Sequence, residues 1–302
     1  MDIATDAVTA VSAYGQPIDQ FSFKDDGTYL NVVVSDDSWG EGMWNPEFVQ
    51  GDLLLGRIPL ADFSSDLPVV STERYRELIG IGGYNMVNRF VGEHVLYGES
   101  SNWWNEVEEH NVYVTNYTTD DPVHTVALSH SVNRLEVLGD SAVVVGQKEN
   151  DLQFTSIDLL GAPEPKVIAT HAVPNASEGE LRSHGFFFKQ YEDKDFGVLG
   201  LPVRTSGNFT DSFIQESSSV IFLKVDPTKT FSDLGQLASS NKSVDDNCQV
   251  SCVDWYGNSR PIFYRGRIFA LLGYELVEGK LQETAIEEIH RIDFTPVTPA
   301  SL

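Results

Sequence analysis

Cationic residues are scarce in this 302-residue chain, where 20 Lys and Arg stand against 45 Asp and Glu and the formal net charge is −25. Such an acidic surface repels phosphate backbones and anionic lipid headgroups, which argues against nucleic acid as a partner. It favours partners that are cationic, neutral or bridged by a divalent metal. The plainer explanation is that the charge keeps the protein soluble.

Long apolar runs are also missing. No stretch reaches the roughly 18 apolar residues that a membrane-spanning helix needs. The first ten residues, MDIATDAVTA, have neither the basic start nor the apolar core of a signal peptide. We therefore expect no membrane span, in a chain that is either cytosolic or a mature or trimmed fragment.

Cysteine is nearly absent. Cys248 and Cys252 lie four residues apart in NCQVSC. Two thiols are too few for a structural zinc site unless His or Asp residues join them. Two alternatives remain, a small disulfide-closed loop, which would imply an oxidising compartment, or a pair of free thiols.

What the sequence does contain is a degenerate repeat. Five times, two short strand-like runs joined by a tight turn precede a second strand-rich stretch, at approximately 17–63, 84–129, 130–173, 182–234 and 254–296. Asp26-Gly27, Gly139-Asp140 and Arg265-Gly266 provide the turns, where a positive φ is needed. One such unit cannot bury its own faces, so the units must stack. The pattern predicts a single all-β β-propeller domain over 1–302, with about five four-stranded blades.

The repeats have corresponding apolar anchors: Phe21, Phe90, Leu135, Phe186 and Ile262. Residues 1–16 fit no blade, and we interpret them as a ring-closing strand or as part of an upstream blade. In the first case Ala7–Val11 would pair with the last repeat near Ile286–Phe294. Ser71–Gly80 is the one segment whose pattern predicts a helix, opened by a Ser/Thr cap.

The chain resembles a family of secreted bacterial proteins with a C-terminal β-propeller domain. The resemblance is carried by Pro17–Phe23, Asn88–Gly98, Arg182–Phe188, Val198–Val203, Asp254–Phe263 and Phe269–Gly279. In that family the propeller is longer and follows a signal sequence, so this chain is similar to its C-terminal part. The resemblance implies export to the periplasm, the cell surface or the medium, and it brings no catalytic residues.

Tryptophan is concentrated in two loops, DDSWGEGMW and ESSNWWNE, which hold four of the five indoles. Both loops follow the second strand of their repeat, so we expect them on one face. Exposed aromatic rings beside carboxylates suit sugar stacking or a protein hot spot. The alternative is that the rings fold back over blade edges or the channel mouth, because exposed rings are costly. The candidate binding residues are Trp39, Trp44, Trp103, Trp104, Glu41, Glu106 and Phe209.

Other motifs are weaker. Paired acids such as Asp25-Asp26 and Asp245-Asp246 could hold calcium, but none has EF-hand spacing, and solvated turns explain them. Gly139-Asp140-Ser141 lacks the strand–turn–helix context of a nucleophile elbow and reads as a hairpin. We predict no cofactor beyond this possible calcium, and no catalytic or metal-binding residue.

These observations favour a non-enzymatic extracellular or cell-envelope propeller that binds a protein or glycan through its aromatic and acidic loops. The alternative is a propeller-fold glycoside hydrolase with carboxylates at the channel mouth. The two hypotheses differ in one observation, because a hydrolase needs at least two carboxylates within reach of one bond.

Overall fold

The computed structural model describes residues 8–39, 48–79, 86–100, 109–160, 164–191, 193–205, 219–240 and 259–294. These residues form β-strands and three single-turn 3₁₀ helices, Leu60–Asp62, Thr72–Arg74 and Ser183–Gly185. Among them, no helix is long and apolar enough to cross a bilayer.

The strands belong to five sheets, each made from one consecutive stretch of chain. The first two sheets contain β1 Gln16–Pro17, β2 Phe23–Asp25, β3 Tyr29–Trp39, β4 Phe48–Pro59 and β5 Tyr75–Glu77, then β6 Met86–Val91, β7 His94–Glu99, β8 Asn111–Asn116 and β9 His124–Ala127. The third sheet contains β10 Arg134–Leu138, β11 Ser141–Lys148, β12 Asp151–Asp158 and β13 Lys166–Val173. The fourth sheet contains β14 Ala176–Glu178, β15 Phe187–Gln190, β16 Gly197–Thr205, β17 Ser219–Val225 and β18 Phe231–Ala238. The fifth contains β19 Ser259–Tyr264, β20 Arg267–Leu272, β21 Glu275–Leu281 and β22 Ile286–Asp293.

Within each sheet the strands follow one another as a meander. The second, third and fifth sheets have the orders β6-β7-β8-β9, β10-β11-β12-β13 and β19-β20-β21-β22. A four-stranded meander repeated along the chain is the blade of a β-propeller. The predicted all-β propeller fold with five blades is therefore confirmed.

The first and fourth sheets differ from this plan because their first strand is interrupted. β1 and β2 pair with different parts of the same strand, since Pro17 lies opposite Val34 and Phe23 lies opposite Val32. In the fourth sheet, β14 and β15 likewise pair with different parts of one strand, β16. The intervening residues, 18–22 and 179–186, leave the sheet, and both segments carry charged side chains.

The chain divides into two compact units, and the boundary runs through the third sheet. Unit 1 comprises Met1–Val144 and Asp158–Lys166, and unit 2 comprises Val145–Ile157 and Val167–Leu302. The core of unit 1 includes Val33, Leu53 and Val95, and that of unit 2 includes Val220, Phe222 and Val277. Each unit thus buries its own apolar strand faces, the main favourable term in folding.

The central strands show why the sequence forms sheets. In β11, SAVVVGQK, the first six residues are all buried, as expected for a strand covered on both faces. In β13, KVIATHAV, exposed and half-buried residues are mixed, as expected for an outer strand. The three predicted turns are confirmed, because φ is 87° at Gly27, 73° at Gly139, and 49° and 77° at Arg265 and Gly266. Gly139-Asp140-Ser141 joins β10 to β11 and is a hairpin.

The helix predicted over Ser71–Gly80 is wrong. Only Thr72–Arg74 forms a helical turn, in which the Ser71 hydroxyl accepts a hydrogen bond from the Glu73 amide at 3.3 Å. The chain then enters β5, where Tyr75 pairs with Gly56. Sheet pairing, which periodicity alone does not reveal, overrides the weak helical pattern of this segment.

The segment before the first sheet contacts that sheet's own connecting loop. Ala10 bridges Ser64 in antiparallel fashion and Ser12 bridges Val69 in parallel fashion. Val11 packs on a cluster that contains Val32 and Val70. Residues 10–12 therefore bond within unit 1, residues 1–7 lie outside the described residues, and ring closure by Ala7–Val11 stays a prediction.

Candidate functional site

Most of the candidate binding residues named from the sequence lie outside the described residues. These are Trp44, Trp103, Trp104, Glu41, Glu106 and Phe209, together with the disulfide candidates Cys248 and Cys252. Trp39 is the last residue of β3, where its backbone lies opposite Phe48. The aromatic face therefore remains a prediction.

The site that the described residues do define begins at the interruption of the first strand in unit 1. Ile18 is buried in the apolar core, and the next residue, Asp19, starts a turn in which the Ser22 amide donates to the Asp19 carbonyl at 3.2 Å. The Phe21 amide donates to Asp19 Oδ1 at 2.7 Å, an Asx-type turn that fixes the carboxylate. β2 then resumes the sheet at Phe23.

Asp19 is connected to the second sheet through a buried amide. Asn88 in β6 donates from Nδ2 to Asp19 Oδ1 and to Ser22 Oγ, both at 3.0 Å. The Ser22 hydroxyl also donates to Asp19 Oδ1 at 3.3 Å and accepts from the Asp19 amide at 2.9 Å. All the side-chain hydrogen bonds of Asp19 within the described chain thus reach one oxygen, Oδ1.

The residue after Asn88 extends the cluster to the third sheet. An Arg89 nitrogen lies 2.5 Å from Glu136 Oε2, and an Arg134 nitrogen lies 3.1 Å from Glu136 Oε1. The Arg89 guanidinium also lies over the Phe21 ring, 3.8 Å from its centroid, in a cation–π contact. Glu136 is only 3% exposed, so it is a buried counter-ion shared by two arginines.

Burial determines the electrostatics of this cluster. It raises the pKa of Asp19, against the lowering effects of its hydrogen bonds and of the Arg89 charge. It also raises the pKa of Glu136, against Arg89 and Arg134, and the nearby Asp19 charge adds to the increase. Burial lowers the pKa of Arg89. Two carboxyls with raised pKa values beside two guanidinium groups mark a candidate site for acid–base chemistry, and structural ion pairs produce the same shifts.

The interrupted strand of unit 2 carries a different cluster. Arg182 donates from Nε to Glu180 Oε1 and from a terminal nitrogen to Oε2, both at 2.7 Å, and its amide donates to Oε1 at 2.9 Å. His184 Nε2 lies 3.5 Å from Glu180 Oε2. Burial alone would raise the pKa of Glu180, but these bonds and charges together bring it below its ordinary value. Burial lowers the pKa of His184.

Sequence reasoning did not single out Asp19, Asn88, Arg89 or Glu136, but one signal for them exists. The position two residues before each apolar anchor is polar in all five repeats: Asp19, Asn88, Asn133, His184 and Arg260. Two of these positions belong to the recurring triplet Val-Asn-Arg. A polar residue that recurs on an otherwise apolar strand indicates a buried hydrogen-bond network.

Metal binding has no support from the described residues. Among them, no group of three His, Cys, Asp or Glu side chains is placed to hold a metal ion. In the Asp19 cluster the arginines already supply the positive charge that a metal would bring.

Comparisons with known proteins concern the fold. No protein-family model matches the chain, and no curated protein is significantly similar in sequence. Kluyveromyces lactis Hsv2 is structurally similar with TM-score 0.44 and 9% identity, over 92% of this chain and 74% of that chain. The β-propeller domain of the Trilobed protease from Pyrococcus furiosus is similar with TM-score 0.37 and 9% identity, and the match covers 94% of this chain and 72% of that chain. An α-L-arabinofuranosidase (CtGH43) from Clostridium thermocellum is similar with TM-score 0.32 and 10% identity, and the match covers 88% of this chain and 91% of that chain.

At such low identities these similarities transfer no ligand, activity or residue role to this chain. The five meander sheets of the chain itself define its architecture.

Proposed function

We propose that this chain is a non-enzymatic propeller that binds a protein or glycan ligand outside the cytoplasm. The binding surface is the aromatic and acidic loop face around Trp39, Trp44, Trp103 and Trp104. The resemblance to the secreted bacterial propeller family supports export to the periplasm, the cell surface or the medium. The observation that supports a non-enzymatic role is that buried carboxylates of the described chain already make hydrogen bonds and ion pairs within the protein.

Buried carboxylates here act as cross-links. Both oxygens of Glu136 bond to arginines, and Arg182 donates to both oxygens of Glu180. Glu275, which is fully buried, accepts from the Ser240 amide at 2.8 Å and from Arg291 at 2.8 Å. A glycosidase needs two carboxylates that reach one glycosidic bond, whereas these side chains are already bonded within the protein. Their chemistry supports a rigid scaffold.

One observation favours the hydrolase as a second candidate. Asp19 and Glu136 are close enough for the charge of Asp19 to raise the pKa of Glu136. The other carboxylate oxygen of Asp19, Oδ2, accepts no hydrogen bond from the described residues, since their donors all reach Oδ1. Both Glu136 oxygens are paired with arginines, which stabilise its ionised form and make it a poor proton donor, and this favours the scaffold proposal.

The binding proposal is tested with the double variant Trp103→Ala/Trp104→Ala in affinity electrophoresis, using gels that contain xylan, arabinan or mixed-linkage glucan. If these rings bind a glycan, the wild type is retarded by at least one polymer, the variant is not, and the melting midpoint is nearly unchanged. Tyr264→Ala is the matched control, because it removes an aromatic ring that is 55% exposed on β19.

Two results would count against this proposal. A large fall in the melting midpoint of the double variant, without a separate loss of retardation, would mean that the indoles cover the blades. Wild-type retardation that the double variant retains would place the ligand elsewhere. The hydrolase is tested separately with aryl glycosides, where hydrolysis by the wild type that Asp19→Asn abolishes would support the enzyme.

A further inference from the structure

The last strand of the fifth sheet, β22, pairs with another described strand on one side only. It ends the sheet order β19-β20-β21-β22 and pairs with β21. Its side chains Ile289 and Ile292 are 55% and 49% exposed, and Phe294 directly after it is 50% exposed. The outer strand of the fourth sheet, β18, instead buries Leu234 and Leu237. β22 is therefore an edge strand that offers both backbone groups and apolar side chains to a partner strand.

β22 contains a β-bulge at its centre. The register against β21 shifts between Glu278 and Gly279, which leaves Ile289 as an extra residue in β22. The extra residue brings Glu288 and Arg291 to the same face of the strand, where their side chains form an ion pair at 2.6 Å. Bulges and charges on an edge strand discourage pairing with an arbitrary strand. A partner for this edge must therefore match both the bulge and the charges.

Two hydrogen bonds show which backbone groups of β22 point away from β21. The Phe294 amide donates to the Tyr274 carbonyl at 2.9 Å, and at the other end the Gln282 amide donates to the Ala285 carbonyl at 2.8 Å. The alternation of an antiparallel ladder, followed from both ends to the bulge, turns the backbone groups of four residues outward. These are Ile286, Glu288, Arg291 and Asp293. The intervals between them are two, three and two residues, a spacing that is the same in both chain directions.

An identical strand running antiparallel repeats this spacing, and its side chains are complementary. The opposed residues are then Ile286 with Asp293, Glu287 with Ile292, Glu288 with Arg291 and Ile289 with His290. A two-fold axis makes each of these pairs twice. No acid faces an acid, although the chain carries a net charge of −25. The Glu288–Arg291 ion pairs of the two copies would meet as four alternating charges, which stabilise a cross-strand contact.

We propose that β22 is a self-association surface, which pairs antiparallel with β22 of a second copy of this chain about a two-fold axis. The pairing joins the two fifth sheets into one sheet of eight strands and covers Ile289 and Ile292 at its centre. The ring-closing strand predicted at Ala7–Val11 would need the same edge, so the two arrangements exclude each other. The proposal does not depend on whether the aromatic loop face binds a ligand.

Analytical ultracentrifugation of the unmodified chain over a concentration series tests the association. Salt of about 0.15 M screens the overall acidic charge, and the mean mass should rise reversibly from one chain to two. Ile292→Glu places an acid opposite Glu287 of the other copy at both ends of the interface, and should weaken the dimer about tenfold. Leu181→Glu is the matched control, because Leu181 is 62% exposed outside β22 and the charge change is the same. This control should dimerise as the unmodified chain does.

A second substitution tests the register. Glu287→Lys added to Ile292→Glu puts a cation opposite the new acid of the other copy, and should restore the dimer. Glu283→Lys added to Ile292→Glu changes the net charge equally in the turn before β22, and should not restore it. A chain that stays monomeric at every concentration, a dimer that Ile292→Glu leaves intact, or equal rescue by both lysine substitutions would overturn the proposal. So would a crystal structure in which a segment of the same chain pairs with the outer side of β22.

Hydrogen exchange of the unmodified chain gives a measurement that needs no variant. The amides of Glu288 and Arg291 point away from β21, so in the monomer they exchange without protection from that strand, and in the dimer they donate to the other copy. Their protection should increase with protein concentration, while that of the Phe294 amide, which donates to the Tyr274 carbonyl, should change little. Exchange at Glu288 and Arg291 that is independent of concentration would contradict the pairing.

Discussion

The two compact units use the same backbone device for different chemistry. In each, the first strand of one sheet is interrupted, and the interruption carries a carboxylate, Asp19 in unit 1 and Glu180 in unit 2. Neutral amides and a hydroxyl hold Asp19, while a guanidinium holds Glu180 through both oxygens. The pKa of Asp19 is raised and that of Glu180 is lowered. Burial is the largest influence on the pKa of both carboxyls, and only at Glu180 do the hydrogen bonds and charges of Arg182 and His184 together outweigh it.

The two clusters also differ in how far they extend. The Asp19 cluster reaches three consecutive sheets through Asn88, Arg89 and Glu136. The bonds between Glu180 and Arg182 stay within one segment of chain. Substitutions in unit 1 should therefore disturb contacts between sheets, whereas those in unit 2 should act locally.

The largest effect is expected from Glu136→Ala. This substitution leaves Arg89 and Arg134 buried without their shared counter-ion, and breaking a buried ion pair from one side typically costs about 3–5 kcal/mol. Chemical denaturation should show a loss of this order in the free energy of unfolding. Glu136→Gln, which keeps the side-chain volume, should lose less, and equal stability of wild type and Glu136→Ala would refute the counter-ion role.

A smaller effect is expected from Arg182→Ala in unit 2. The Glu180 carboxylate loses its guanidinium donors but keeps the backbone amide of residue 182 and the nearby His184. A lost charge-assisted hydrogen bond of this kind costs about 1–3 kcal/mol. The same denaturation measurement should rank this variant above Glu136→Ala in stability, and the reverse order would contradict the contrast between extended and local clusters.

The smallest effects are expected in the pH dependence of stability, where the two carboxylates should act with opposite sign. A raised folded-state pKa, as for Asp19, gives stability that is present at low pH and lost as pH rises through that pKa. A lowered folded-state pKa, as for Glu180, gives stability that is present at neutral pH and lost as pH falls through that pKa.

Denaturation of Asp19→Asn and Glu180→Gln from about pH 3 to 7 measures these contributions, because the ordinary pKa of a carboxyl, about 4, lies within this range. The stability of the wild type relative to Asp19→Asn should fall as pH rises. The stability of the wild type relative to Glu180→Gln should fall as pH drops. Two dependences of the same sign would show that the neutral and cationic donor sets do not differ as described.

The sequence predicts the sheets well because each hairpin depends on local signals. Turns at Gly139 and Arg265-Gly266 and the alternation of strands such as β8 are properties of adjacent residues. The helix predicted at Ser71–Gly80 failed because pairing of Tyr75 with Gly56 is a contact between distant segments. Local pattern cannot reveal such a contact.

The site was much less predictable. The segment Pro17–Phe23 is compatible with strand-and-turn structure, and nothing in it predicts that the chain leaves the sheet at Asp19. The partners of Arg89 come from two other repeats, Phe21 and Glu136, so only the fold brings them together. The recurring triplet Val-Asn-Arg was the available signal, and it indicates buried polarity without naming the partner. The predicted Trp103 and Trp104 face stays a prediction that the described residues do not test.

The most direct test of the central contrast is a ¹³C-carboxyl NMR titration of Asp19 and Glu180 in the same sample, assigned with Asp19→Asn and Glu180→Gln. Ordinary pKa values are about 3.9 for Asp and about 4.3 for Glu. We expect the pKa of Asp19 to lie above its ordinary value and that of Glu180 below its own. An Asp19 whose pKa is at or below the ordinary value, or a Glu180 whose pKa is above it, would contradict the claim that burial prevails at Asp19 and is outweighed by the Arg182 guanidinium and its neighbours at Glu180.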